Sequence, residues 1–116
     1  MQFKDILYNV EGDYAHVTID RPKVLNAFTP VTLQELKSAL DMAEKDKNVG
    51  VIVLSGSGDR AFCAGGDMNW ESSEEFQDHE YEFHIHLTKC SKPIIAKVDG
   101  YAIGGGNHMA YFCDLT

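Results

Sequence analysis

Apolar and polar residues alternate over Ile6 to Val10 and again over Tyr14 to Ile19, predicting two short strands around the turn Glu11-Gly12-Asp13. Ala15, Val17 and Ile19 fall on one face, and His16, Thr18 and Asp20 on the other. Arg21-Pro22 breaks this period of two, and a loop runs through Asn26-Ala27-Phe28. The period then changes. Leu33, Leu36, Leu40 and Ala43 recur as one helical stripe. Two starts compete for that helix. One has Thr29 as N-cap with Pro30 at the first helical position, and the other is a capping box at Thr32-Leu33-Gln34-Glu35. Lys45, Lys47 and Asn48 suit its C-terminal end. Val51 to Leu54 is continuously apolar, the pattern of a strand buried on both faces. Strand, helix and strand in that order predict a parallel crossover, and so an α/β fold.

Beyond Leu54 the chain is punctuated by glycine. Trp70 to Glu82 is acidic and reads as a mobile or solvated segment leading into a helix. On that helix Phe76, Glu80, Phe83 and Leu87 share a face, with Glu80 the polar exception. Lys89 to Pro93 ends it. Ile94 to Val98 is the next strand, Asp99-Gly100 a turn, and Tyr101 to Ile103 continues the sheet. Gly104-Gly105-Gly106 opens a last helix, Asn107 to Cys113. A parallel sheet needs helices on both faces, and nothing follows the last strand and helix to cover them. The expectation is therefore a fragment, or one half of a larger assembly.

Composition narrows the class. The 116 residues are 44% hydrophobic and 24% charged, which suits one modest globular domain. No apolar run approaches the roughly 20 residues that span a bilayer. Met1-Gln2-Phe3-Lys4-Asp5 lacks the pattern of a secretion signal. Three cysteines without a Cys-x-x-Cys favour reduced thiols and a cytoplasmic setting. A formal charge of −8 without a basic cluster argues against nucleic acid and anionic membranes as partners. An anionic cofactor would need helix N-termini and a few lysines.

Candidate chemistry lies in two glycine-rich turns, each fed by an apolar run. One is Val51 to Asp67, containing Gly56, Gly58, Gly65 and Gly66, and the other is Pro93 to Asn107. Glycine lets a backbone approach a ligand closely and aim its N–H groups. Two such turns on neighbouring strands can direct two donors at one oxygen, the hardware for stabilising an oxyanion. The rival reading is a dinucleotide fingerprint, since Gly56-Ser57-Gly58-Asp59-Arg60-Ala61 matches G-x-G-x-x-A. That motif should open a helix, but Gly65-Gly66 would fall inside the helix's first two turns. His79, His84 and His86 do not have metal-ligand spacing, and His84 and His86 would diverge on a helix. No metal is expected. Cys63 reads as a packing residue, and Asp67 as a group that orders its turn.

Gly58-Asp59-Arg60-Ala61-Phe62-Cys63-Ala64-Gly65-Gly66-Asp67 closely resembles the acyl-CoA-binding turn of the crotonase (enoyl-CoA hydratase/isomerase) superfamily. The spacing to Lys92-Pro93 and to Gly100 through Gly106 matches too, as does the block Arg21 to Phe28. Within the superfamily, Cys63 to Asp67 and Cys113-Asp114-Leu115-Thr116 look most like dihydroxynaphthoyl-CoA synthases and 2-ketocyclohexanecarboxyl-CoA hydrolases. The resemblance implies a crotonase-like spiral of ββα units, residues 1–116 being its N-terminal portion, and a homotrimer or hexamer. It implies oxyanion-hole amides at Gly66 and Gly105. A coenzyme A thioester, as substrate rather than permanent cofactor, would lie along Lys23, Val24, Leu25, Ala27, Ala64 and Gly65. Catalytic side chains of these branches lie mostly beyond the residues present.

Two positions depart from the family pattern. Hydratases carry a glutamate two residues after the third glycine, where this chain has His108. His108 is thus a candidate proton carrier, since imidazole titrates near neutral pH. Leu25 stands where synthases often carry a basic residue. The expected activity is enolate stabilisation, with ring closure or cleavage on a cyclic acyl-CoA. The alternatives are an enoyl-CoA hydratase or isomerase, and a non-catalytic acyl-CoA-binding remnant.

Overall fold

The computed structural model describes residues 2–67 and 74–116. Strand β1 (Ile6–Glu11) and β2 (Tyr14–Ile19) form an antiparallel hairpin, turned at Gly12, whose φ of 61° suits glycine. Helix α1 (Pro30–Lys45) carries the chain over to β3 (Val51–Gly56), which pairs parallel with β2. Strand β4 (Ala61–Cys63) and helix α2 (Glu74–Lys89) precede β5 (Ile94–Lys97), which pairs parallel with β3. Strand β6 (Tyr101–Ala102) and helix α3 (Gly105–Tyr111) follow. The main sheet has the order β1-β2-β3-β5, and β4 with β6 forms a separate two-stranded sheet.

Helix α1 starts at the earlier of its two possible caps. Thr29 accepts the Thr32 backbone N–H, while Thr32 Oγ1 accepts the Thr29 N–H, so two threonines make the capping box. Thr32 Oγ1 also donates to Asp5 Oδ2 at 2.7 Å, and Glu35 accepts the backbone N–H groups of Lys4 and Asp5. The helix therefore fastens the start of the chain. Its other end is Lys45, so Lys47 and Asn48 lie beyond it. Lys45 lies in the last turn as expected, and a second cation comes from elsewhere: Lys92 Nζ donates to the carbonyls of Ala43 and Asp46. Leu33, Leu36, Ala39, Leu40 and Ala43 are buried against the sheet face built from Ala15, Val17, Ile19, Ile52, Leu54, Ile94 and Ala96.

Several expectations change. Strand β3 alternates, with Ile52 and Leu54 buried and Val51 and Val53 half-buried, so it is not fully enclosed on both faces. The stretch after Gly58 is not only a turn; Ala61, Phe62 and Cys63 are a short buried strand. Entry into a strand instead of a helix removes the context a dinucleotide fingerprint needs. Tyr101 to Ile103 does not extend the main sheet, because β6 pairs with β4. Helix α2 already runs from Glu74, so the acidic stretch is helical there; residues 68–73 lie outside the described residues. Of its expected apolar face, Phe83 and Leu87 are buried. Helix α3 starts two residues earlier than expected and ends two earlier, because Gly104 takes the N-cap position. Leu115 bridges to Ile95, so the chain's last residues continue along the free edge of β5.

Asn26 ties this fold to the turns beside it. It is 1% exposed, with φ of 58°, a conformation asparagine tolerates better than most residues. Its Oδ1 accepts the Arg21 N–H, and its Nδ2 donates to the Ser57 and Ala61 carbonyls. Asn26→Ala strands three backbone groups, one buried and two partly buried, and should destabilise the protein by about 2–3 kcal/mol. Urea unfolding tests this, and a loss below about 0.5 kcal/mol would contradict the role.

Candidate active site

Two turns meet because Phe28 holds both. Its N–H donates to the Gly65 carbonyl at 2.9 Å, and its carbonyl accepts the Asp67 N–H at 2.8 Å. Ala64 N–H donates to the Leu25 carbonyl at 3.0 Å, so Ala64 to Asp67 runs beside Leu25 to Phe28 as a short parallel pairing. The Gly65 carbonyl and Gly66 N–H share one peptide, and a trans peptide points them in opposite directions. With the carbonyl bonded to Phe28, the Gly66 N–H faces the opposite edge, where Ile103 N–H bonds the Cys63 carbonyl.

The second turn packs against that edge. A Cβ on Gly65 would sit 3.0 Å from the Ile103 carbonyl oxygen and 3.5 Å from the Gly105 nitrogen. A Cβ on Gly106 would lie 2.0 Å from the Cys63 carbonyl oxygen, and one on Gly105 would lie 2.6 Å from the Phe28 ring. Only glycine fits at this contact, and Gly65 also has φ of 100°. Gly105 is the first residue of α3, where a helix leaves its N–H groups without intrahelical partners. Neither the Gly66 nor the Gly105 N–H has a hydrogen-bond partner among the described residues.

The segment expected to take a cofactor forms the outer wall. Lys23 and Val24 are exposed on a single 3-10 turn, Pro22–Val24. Leu25 and Asn26 are both left-handed, and Ala27 is buried. Arg21 Nη1 donates to the Ala27 carbonyl and lies 3.6 Å from Asp67 Oδ2, so this wall and the first turn share one cation. Leu25 lines a hollow of about 180 Å³ together with Pro22, Gly58 and Arg60.

His108 lies on the first turn of α3, with its side chain 60% exposed. Its Nδ1 is 3.7 Å from Glu80 Oε1 on α2. The same oxygen is 3.3 Å from His84 Nε2, one helical turn further along. It also presses on Gly105, where an added Cβ would be 2.5 Å from it. His84 stacks on Phe112 and meets the His108 ring edge-on, with centroids 5.1 and 5.8 Å apart. Glu80, His84 and His108 open onto a cavity of about 490 Å³, with Tyr81, Ile85, Thr88 and Phe112 completing its wall. Their three ligand-capable atoms lie within 4.8 Å of one another. Sequence reasoning named Glu80 only as the polar exception on its helix face and weighed His84 only as a metal ligand, giving neither a place at the site. The available signal was one carboxylate on an otherwise apolar helix face, with a histidine four residues on.

Burial pushes the Cys63 thiol up to about 12, which fits a packing residue and not a nucleophile. His86 turns away from His84 and bonds Asp41 on α1 at 2.9 Å.

The sequence pattern of the enoyl-CoA hydratase/isomerase family matches residues 10–116. The chain belongs to that family. Its fold superposes on the enoyl-CoA hydratase subunit I of Geobacillus kaustophilus with a TM-score of 0.89 at 33% identity, over 99% of this chain and 46% of that one. An enoyl-CoA hydratase/isomerase from Xanthobacter autotrophicus gives 0.91 at 28% identity, over 97% and 45%. The enoyl-CoA hydratase of Bacillus anthracis gives 0.89 at 25% identity, over 96% and 46%. The chain thus spans about half the length of these relatives. No helix among the described residues is long and apolar enough to cross a membrane.

His84 carries a pH signature for this crotonase-family site. Desolvation lowers its pKa, outweighing the attraction of Glu80. The unfolded chain then binds more protons than the folded one below about pH 6.5, so stability falls as pH drops through that value. His84→Phe should flatten the decline between pH 7.5 and 5.5 in urea unfolding. Equal pH slopes would contradict a partly buried, desolvated imidazole.

Proposed function

We propose that the protein binds a coenzyme A thioester with its carbonyl oxygen between the Gly66 and Gly105 amides and stabilises the enolate formed there. The observation that carries this reading is the contact of the two turns, with both N–H groups free of partners on the described chain. Breaking the C–H bond next to a thioester carbonyl moves its electron pair toward the oxygen. Two fixed donors favour that charge over the neutral ester, and one such donor is typically worth about 2.7–4 kcal/mol in the transition state. Lys23 through Ala27, with Ala64 and Gly65, would hold the cofactor portion. Arg60, in the same hollow as Leu25, supplies a cation on that wall.

For the acyl group, the favoured reading is a six-membered ring that is closed or opened. In ring opening, water adds at a ring ketone and the adjacent C–C bond breaks. Its electron pair becomes the thioester enolate, which then takes a proton. A cavity of about 490 Å³ walled by Tyr81, Ile85 and Phe112 suits such a ring. His108 in the place of the hydratase glutamate disfavours simple addition of water. Hydratase or isomerase activity is the second reading, supported by the activities named for the similar structures.

Two substitutions separate the amide from its side effects. Gly105→Ala and Gly105→Pro both add a Cβ against Phe28 and Glu80, but only proline removes the N–H. Deuterium exchange at the α-carbon of cyclohexanecarboxyl-CoA should be about 10²–10³-fold slower in the proline variant than in the alanine variant. Equal rates in two folded variants would contradict the role of Gly105.

A further inference from the structure

We propose that Glu80 is a positioning residue that holds His108 as a proton carrier, so that α2 and α3 together build a carboxylate–imidazole pair beside Gly105. This rests on the enolate reading above and identifies how the proton is moved. Three observations converge. Glu80 Oε1 lies 3.7 Å from His108 Nδ1, against Gly105, and at the rim of the acyl-sized cavity. The Glu80 side chain is only 15% exposed, on a helix face whose neighbours Phe83 and Leu87 are buried, so a carboxylate there needs partners. His84, a second imidazole facing the pair, is packed against Phe112 and has its Nε2 on the same oxygen.

The geometry fixes the proton inventory. A carboxylate facing Nδ1 favours the tautomer with the proton on Nδ1, leaving the Nε2 lone pair as base. His108 Nε2 then takes the α-proton: the C–H bond breaks, an N–H bond forms, and the electron pair passes to the thioester oxygen. The imidazolium so formed sits beside Glu80. At 3.7 Å the contact is longer than a hydrogen bond, but the exposed His108 ring is free to close it, as such pairs do when substrate binds. The same three atoms are less suited to a metal. Among the described residues His84 Nδ1 is buried without a hydrogen-bond partner, whereas a ligating imidazole is normally oriented by a bond from its second nitrogen.

The test is the ring ¹⁵N spectrum of His108 together with α-proton exchange in cyclohexanecarboxyl-CoA. The parent protein should show the Nδ1–H tautomer. Glu80→Leu should shift it to Nε2–H and slow exchange at least tenfold. Glu80→Gln, which keeps an acceptor oxygen but no charge, should retain the tautomer and still lose exchange. An Nε2–H tautomer in the parent overturns the pairing whether or not any variant folds. So does slower exchange in Glu80→Leu with the tautomer unchanged, and so does stoichiometric Zn²⁺ binding that shifts both His84 and His108. The Nδ1–H tautomer with no exchange at all would instead refute the enolate reading and leave the pairing standing.

Discussion

One backbone pairing governs the arrangement: Phe28 bonded on either side of Gly66. Because a peptide is planar and trans, fixing the Gly65 carbonyl fixes the opposite direction of the next N–H. The Phe28 ring does the complementary work by touching Gly105. A single residue in a loop thereby sets the orientation of one turn and the distance of the other. Asn26 and Arg21 hold that loop from behind, through the Ser57, Ala61 and Ala27 carbonyls and Asp67. Two consecutive left-handed residues, Leu25 and Asn26, are tolerated because these bonds over-determine them.

Around that pairing, the chain combines neutral donors with an enclosed carboxylate, Glu80, beside Gly105. The amides bring no charge and, in the proposed reading, would need no reorganisation when an oxyanion forms between them. Glu80 brings a negative charge a short distance away, which would oppose an enolate if it stood alone. His84 and His108 both face its oxygen, and a protonated His108 would offset that charge. In the proposed mechanism, a proton taken up by His108 would place a positive charge beside the Glu80 carboxylate, and the electrostatics would favour the state in which proton transfer has occurred. His84 packs by stacking on Phe112, with ring centroids 5.1 Å apart.

Much of the fold was legible in local pattern. The first hairpin, the parallel crossover and the Leu33-Leu36-Leu40-Ala43 stripe follow from periodicity, and Thr29-Pro30 marks a helix start that tertiary contacts confirm through Asp5. Strand β4 was hidden because three residues are too few to show a period, and its partner Tyr101–Ala102 lies far along the chain. The same distance concealed the second sheet. At the site, the glycine turns announced themselves, since close backbone contact excludes other residues. Glu80 did not. Its meaning comes from His108, 28 positions later, and from the packing of α2 on α3. A single polar residue on an apolar face looks like an imperfection until its partner is known.

A crystal structure of the protein with cyclohexanecarboxyl-CoA bound would examine the central claim most directly. The distances from the thioester oxygen to the Gly66 and Gly105 nitrogens are expected to be about 2.7–3.2 Å each. A thioester oxygen bonded to only one of them, or directed away from both, would contradict it.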